Sequence, residues 1–203
     1  DADFGTETCT VTCRFQEHLG YMDVIQNPDF FVTFTDVPFK RNQNSIEHYE
    51  GQLQAHVLDP LHEKFGIDIS DEALMKAIDL HNEISAVINE IGDYRKLDNP
   101  TITGYEYHVI NLVTLACPKY LIIDKLRETL EELKTREPDA RPQYRCKVLL
   151  AGSENDDPDF TKLIESCGAL VVADRYCYGG MESRLPIEIR EGETPLRAIA
   201  RHY

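Results

Sequence analysis

Two cysteines near the beginning of the sequence have the spacing of ligands for a soft metal. Cys9 and Cys13 are four residues apart in TETCTVTCRFQE, so on a helix their thiols would share one face. Two cysteines cannot complete a tetrahedral zinc site. The rest of the sequence offers no Cys-x-x-Cys motif and no close histidine pair that could supply the other ligands. An iron–sulfur cluster is compatible with the pattern, because its cysteines can come from several distant loops.

A further thiol, Cys177, lies in a loop sequence directly after a β-rich segment. In VVADRYCYGG it stands between two tyrosines and before two glycines, so the backbone is flexible and the side chain can face a cleft. Two interpretations stay open at this point. The cysteine either fills the end of a sheet, half-buried, or lines an active site.

The elements around Cys177 predict where candidate side chains meet. CKVLLAGS predicts a strand, DPDFTKLIESCG a helix and ALVVAD a second strand, which together form a βαβ unit and imply a parallel sheet. Ligands of open parallel sheets bind beyond the carboxyl ends of the strands. The substrate-pocket candidates are therefore Gly152, Ser153, Asp174 and Cys177. A lone Gly-Ser is a weak signal, and the acids after it disfavour a phosphate.

The remaining segments predict one more strand and several helices. The strand in DFFVTFTDVPF leads into a third candidate loop at residues 36–40. A helix then ends at Gly66, and the next has Ser70 as its N-cap and ends at Gly92. TITGYEYHVINLVTLACPKY predicts a helix that ends before Pro118, and LIIDKLRETLEELKTREP predicts an amphipathic helix.

These elements predict an α/β protein in three segments. Residues 1–43 would be the end of one parallel-sheet domain, residues 44–143 a helical connecting region, and residues 144–203 the start of a second parallel-sheet domain of flavodoxin or Rossmann type. Both ends of the sequence look cut, so we expect an internal fragment of a longer protein.

The other cysteines and the histidines have no spacing that predicts a metal site or a catalytic group. We expect Cys117, Cys146 and Cys167 to behave as small buried hydrophobes. Six cysteines without a signal peptide indicate reduced thiols in a cytoplasm. The histidines are scattered on predicted helical faces with acidic neighbours, and each is expected to be a solvated surface residue: His18, His48, His56, His62, His81, His108 and His202.

Composition restricts the partners. The formal net charge of −15 comes from 36 acidic and 21 basic residues, which disfavours nucleic acid and anionic membranes. No apolar run approaches the roughly 18 residues that a membrane span requires. An anionic small molecule stays compatible with the charge, because backbone amides can bind one locally.

Four segments together resemble the 2-hydroxyacyl-CoA dehydratase and benzoyl-CoA reductase family, in particular subunits like the D-component of 2-hydroxyglutaryl-CoA dehydratase. The segments are TETCTVTCRFQE, FFVTFTDVPFKR, KVLLAGSENDDPDFTKLIESCGALVVADRYCYGG and TPLRAIARHY. The third is the most specific.

The resemblance implies a 4Fe–4S cluster whose cysteines come from separate loops. By position, Cys9 matches the middle ligand of the family, and Cys13 is the fallback. The early and late ligands have no counterpart in this chain, so the segment alone is expected to be inactive. Cys177 is then an active-site neighbour, and the catalytic residues stay unassigned.

The resemblance also implies partners and a reaction. A homologous second subunit, an ATP-hydrolysing activator protein and an acyl-CoA substrate are expected. One-electron reduction of the thioester would lead either to loss of water from a 2-hydroxyacyl-CoA or to reduction of benzoyl-CoA. Two alternatives stay open, namely an electron-relay or scaffold subunit and a double-cluster reductase that uses no CoA.

Overall fold

A computed structural model describes residues 2–6, 31–138, 144–152, 154–176 and 185–203. The chain divides into two compact units, one within Asp1–Ile78 and Ile187–Tyr203 and the other within Asp79–Pro186. Both units contain parallel strands and helices, which confirms the predicted α/β class. The predicted division at residues 43 and 143 stays a prediction.

The first unit begins with a pair of parallel strands. Strand β1 (Ala2–Thr6) pairs with β2 (Phe31–Thr35) in a register that places Ala2 opposite Phe31. Helix α1 (Gln43–Leu53) starts at Asn42, whose side chain accepts the amide of Ser45 at 3.0 Å. This capping bond satisfies one of the free amides that every helix start exposes.

Helix α1 continues through a π-helical turn into a second short helix. The turn covers Gln54–Leu58, and α2 (Asp59–Phe65) follows it. Pro60 lies in the first turn of α2, directly after the π-helical turn, so the amide that a proline lacks falls at an irregular part of the helix. Helix α2 ends at Gly66, which has a φ of 66°. The prediction of Gly66 as the C-cap is therefore confirmed.

Helix α3 (Asp71–Asp93) is the longest element of the described chain. Ser70 caps its start, since the Ser70 hydroxyl accepts the amide of Ala73 at 3.3 Å. The helix ends one residue beyond the predicted Gly92.

The last helix of the first unit is α7 (Pro195–His202). Its Ala198 packs with Ile78 and Ile187 in a small buried cluster. Two arginines fasten the helix, because Arg197 pairs with Glu50 at 2.6 Å and Arg201 pairs with Glu193 at 2.8 Å. The apolar cluster and these ion pairs together hold α7 within the unit.

The core of the second unit lies among three helices. Helix α4 (Gly104–Ala116) and helix α5 (Lys119–Thr135) pack on the later part of α3. Most of the buried side chains of this core are aliphatic, and each stabilises the fold by about 1.5–3 kcal/mol. They include Ile84, Ile88, Ile91, Ile122, Leu126, Leu130 and Leu133.

The predicted βαβ unit is confirmed within the second unit. Strand β3 (Cys146–Ala151), helix α6 (Pro158–Ser166) and strand β4 (Ala169–Arg175) follow one another, and the strands are parallel. Cys146 lies opposite Ala169, and the register shifts between Val148 and Leu149. Both strand ends that should carry ligand-binding residues therefore face the same edge of the sheet.

Helix α4 approaches strand β4 so closely that its first residue must be glycine. A Cβ atom on Gly104 would lie 2.6 Å from Cβ of Val171 and 2.8 Å from the carbonyl oxygen of Val171. No real side chain tolerates such distances, so the start of α4 is pinned to the middle of β4.

The prediction that Cys117, Cys146 and Cys167 are buried is wrong, because all three are exposed. Each lies at the end of an element, where packing is incomplete. Cys117 follows the last residue of α4, Cys146 begins β3, and Cys167 follows the last residue of α6.

Among the described helices, none is both long and apolar enough to cross a bilayer.

Candidate functional site at the carboxyl ends of strands β3 and β4

The carboxyl ends of β3 and β4 lie side by side, as the sequence predicts. The amide of Gly152 donates to the carbonyl of Arg175 at 3.2 Å, so the first residue after β3 is tied to the last residue of β4. Gly152 and Tyr176 directly precede the two candidates Ser153 and Cys177. Those two candidates lie outside the described residues, as do Cys9 and Cys13.

Asp174, the fourth pocket candidate, is held in a buried ion pair. Its Oδ2 lies 2.9 Å from Nη1 of Arg95, and the two side chains are 2% and 6% exposed. The Arg95 guanidinium stacks on the Tyr107 ring at 3.6 Å from the centroid, which adds a cation–π contact. The negative charge of Asp174 is thus balanced inside the protein. A substrate contact of this residue stays a prediction.

His108 lies at the centre of a second group of buried polar side chains. It is 1% exposed, so the prediction of a solvated surface histidine is wrong. Its Nε2 lies 3.0 Å from the carbonyl oxygen of Asn155, and its Nδ1 lies 3.0 Å from Oγ1 of Thr161. Its ring meets that of Tyr176 edge to face at 5.1 Å. His108 therefore contacts the loop after β3, helix α6 and the end of β4.

Helix α4 explains why the sequence pattern misled. Apart from the aromatic Tyr107, its buried residues are polar or small, namely Gly104, His108, Asn111 and Thr114, whereas Val109 and Val113 are exposed. The usual rule that apolar residues face the core would turn α4 so that Val109 and Val113 lie inside. The signal that could have found the inward face is the repeat of polar residues at positions 108, 111 and 114, three residues apart.

Burial also determines the protonation states of His108 and Tyr176. Burial lowers the pKa of His108 below its ordinary value, so the imidazole is neutral near pH 7. Burial and the neighbouring Asp174 carboxylate raise the pKa of Tyr176 to about 12, so the phenol keeps its proton. The described part of this edge is thus a neutral network beside a balanced ion pair.

Glu165, which sequence reasoning did not single out, joins α6 to α4 and β4. Its carboxylate accepts the amides of Gly104 at 2.8 Å, Tyr105 at 3.2 Å and Val171 at 3.1 Å. A carboxylate at a helix start is favoured by the free amides and the helix dipole. Glu165 therefore fixes the close approach of α4 to β4.

The arrangement is suited to holding loops rather than to exchanging protons. Arg95, Asp174, His108 and Thr161 bond to one another or to backbone atoms of the same edge. Throughout the described ranges, no group of three His, Cys, Asp or Glu side chains is placed to hold a metal ion.

A cleft of the second unit lies at the opposite end of the strands. Its volume is about 490 Å³, and Cys146 and Leu170, near the amino ends of β3 and β4, line it. Its charged lining is mixed, because Arg136 pairs with Glu106 at 2.9 Å and both line the cleft. It is therefore distinct from the carboxyl edge that the sequence singles out.

The third predicted loop, residues 36–40, is hydrogen-bonded to a half-exposed histidine in the first unit. Nε2 of His48 lies 2.8 Å from Oδ2 of Asp36. The side chain of Gln52 accepts the amide of Asp36 at 3.1 Å. This loop is thus fastened to helix α1.

Comparisons with known proteins agree with the resemblance. A family model described as "2-hydroxyglutaryl-CoA dehydratase, D-component" matches residues 1–203. The (R)-phenyllactyl-CoA dehydratase beta subunit of Clostridium sporogenes is 22% identical over 173 residues, which are 85% of this chain and 45% of that protein. The chain thus spans about half the length of the curated relative it matches.

Proposed function

Because the chain belongs to the 2-hydroxyglutaryl-CoA dehydratase D-component family, we propose that it forms part of a dehydratase subunit. The protein would remove water from a 2-hydroxyacyl-CoA to give an enoyl-CoA. The observation that carries this proposal is the family match along residues 1–203. The name of the curated relative, a phenyllactyl-CoA dehydratase subunit, favours dehydration over the reduction of an aromatic ring.

The substrate pocket is proposed at the carboxyl edge of β3 and β4. Two facts support this placement, namely the parallel pairing of the strands and the bond between Gly152 and Arg175 that brings their ends together. Gly152, Ser153 and Cys177 would face the acyl-CoA. Asp174 would contribute through its pairing with Arg95, which fixes the strand end from which the Cys177 loop starts.

We propose a 4Fe–4S cluster as the cofactor, with Cys9 as the ligand from this chain and Cys13 as the alternative. The described residues do not fit a cluster site by themselves, because they place no three metal-ligating side chains together and their cysteines lie at separate element ends. Further ligands would come from outside this chain. When bound, such a cluster would supply one-electron transfer.

The proposed assembly contains a homologous second subunit and an ATP-hydrolysing activator protein. The words "D-component" and "beta subunit" in the names of the family and the relative support a multi-subunit enzyme. An electron-relay or scaffold role is the alternative, in which the second subunit holds the substrate.

The test uses the complete natural protein that contains this chain, purified without oxygen together with its partner subunit. Iron and acid-labile sulfide are measured in the wild type, in Cys9→Ala and in Cys13→Ala, with Cys117→Ala as the control because Cys117 is exposed at the end of α4. Loss of iron in the Cys9 variant alone supports the proposed ligand. A wild-type protein without iron would refute the cofactor.

The reaction is tested separately with the activator, ATP and a reductant. Water elimination from 2-hydroxyglutaryl-CoA and from (R)-phenyllactyl-CoA is followed by mass spectrometry of the thioesters. Formation of either enoyl-CoA supports dehydration. Reduction of benzoyl-CoA without any dehydration would contradict the proposal and favour the ring-reductase alternative.

A further inference from the structure

We propose that His108 is a positioning residue that couples the loop after β3 to the end of β4, so that both sides of the carboxyl edge move as one body. Its contacts carry the argument. One ring nitrogen meets the backbone of Asn155, the other meets Thr161 on α6, and the ring itself packs on Tyr176. The mechanical role stands on these contacts alone. Its importance for catalysis rests on the proposed function.

The hydrogen bonds run in one direction along the network. A backbone carbonyl can only accept, so Nε2 of His108 carries the proton and donates to Asn155. Nδ1 of the neutral ring then accepts, and the Thr161 hydroxyl donates to it. The Tyr176 ring joins this group through its edge-to-face contact with the imidazole. Each donor in this chain of bonds has an acceptor.

The His108 side chain links two segments that are not adjacent in the chain. Asn155 lies between β3 and α6, and Tyr176 lies directly after β4. The positions next to these loops include Ser153 and Cys177, the two pocket candidates. Because buried polar networks are rigid only when every member is satisfied, removal of the imidazole should release both loops together.

A filler role for His108 predicts a different outcome. A buried aromatic or aliphatic side chain could occupy the space on α4 without a desolvation cost. If His108 only filled space, a phenylalanine of similar shape would preserve the edge. If it positions the loops, the shape is insufficient and the two hydrogen bonds are required.

The test compares His108→Phe with His108→Gln by amide hydrogen exchange. Phenylalanine keeps a ring but loses both hydrogen bonds, whereas a glutamine amide can still donate to Asn155 and accept from Thr161. Ile123→Val is the control, since Ile123 is buried in the helical core of the same unit. Exchange is measured for residues 154–157 and 173–176 in the protein as purified.

We expect exchange in both segments to accelerate about tenfold in the Phe variant. In the Gln variant, which can keep both hydrogen bonds but lacks the ring that packs on Tyr176, exchange at residues 154–157 should return close to wild type. The Ile123 variant should leave both segments unchanged. The proposal is overturned if the Phe variant accelerates only one of the two segments, or if the control accelerates them equally. It is also overturned if glutamine fails to restore residues 154–157.

Two further measurements guard against a variant that does not fold. Thr161→Val removes the hydroxyl that donates to Nδ1 of His108 at nearly constant shape, and it should accelerate exchange at residues 173–176 by a similar factor. The ¹⁵N shifts of the His108 ring in wild type should show the neutral tautomer protonated at Nε2. A ring protonated at Nδ1 contradicts the bond direction. Because none of these readouts uses activity, they remain decisive even if dehydration is never observed.

Discussion

Arg95 and Asp174, which are 79 residues apart in sequence, form an ion pair that is almost completely buried, with 2.9 Å between Nη1 and Oδ2. The pair joins the turn after α3 to the end of β4. Burial removes both charges from water, and their mutual attraction must offset that cost. The end of β4 therefore depends on a residue that lies far from it in the chain.

Removal of Arg95 alone should be strongly destabilising. The Arg95→Met variant leaves an unbalanced buried carboxylate, and we expect the free energy of unfolding to fall by about 3–5 kcal/mol. The double variant Arg95→Met with Asp174→Leu should recover part of this loss, because no buried charge remains. Urea unfolding measures both variants.

The matched control is the exposed pair of Lys76 and Glu72 on α3. Lys76→Met should change stability by less than about 0.5 kcal/mol, because water already screens this pair. An Arg95 variant that is no less stable than this control would contradict the interpretation of the buried pair.

Substitution of Gly104 tests the close approach of α4 to β4. Gly104→Ala places a methyl group against Val171, and we expect a loss of about 1–3 kcal/mol in unfolding free energy from overpacking. Gly51→Ala is the control, since a Cβ there meets nothing within 4 Å and alanine favours the interior of α1 by about 0.5–1 kcal/mol. Thermal unfolding distinguishes the opposite signs.

Local patterns predicted much of the fold. Gly66 and Ser70 mark helix ends by backbone geometry and capping, and the βαβ unit follows from apolar runs of the right length. Such signals lie within a few residues of the feature they predict. The exposure of Cys117, Cys146 and Cys167 could not be predicted in this way, because burial is decided by the neighbours that an element meets.

The candidate site was predicted in position but not in its contacts. The rule for parallel sheets located Gly152 and Asp174 at one edge, and the structure brings their strand ends together. The partners of that edge, Arg95, His108 and Glu165, come from other elements. A single sequence carries no signal for such distant pairs.

Lowering the pH should destabilise the folded protein through the buried His108. Its pKa is lowered by burial, so the unfolded chain takes up a proton at about pH 6.5, before the folded protein does. The free energy of unfolding should therefore decrease as the pH falls below about 6.5, until the folded imidazole is also protonated. His108→Gln should lack this part of the decrease, which the difference between urea titrations at several pH values measures. Identical pH profiles for the two proteins would contradict a buried neutral imidazole.

Glu193 should contribute to stability in a more acidic range. The Arg201 side chain donates to its carboxylate and lowers the pKa of Glu193 to about 2. In the unfolded chain the carboxyl group takes up a proton near pH 4.5, so acid lowers the free energy of unfolding below that pH. The stabilisation is therefore complete above that value and is lost as the pH falls towards 2. Hydrogen bonds to a charged group are worth about 1.5–3 kcal/mol, so Glu193→Gln should lower stability by that order at pH 7.

The difference between Glu193→Gln and wild type should then become small as the pH approaches 2, because about half of the wild-type carboxyl groups are protonated at a pH equal to their pKa. Glu131→Gln serves as the control, since the pair of Glu131 with Lys134 is exposed on α5 and should contribute little at any pH. Thermal unfolding between pH 2 and 7 measures both. A Glu193 variant whose deficit is the same at every pH would show that the side chain acts by packing, and not through its charge on Arg201.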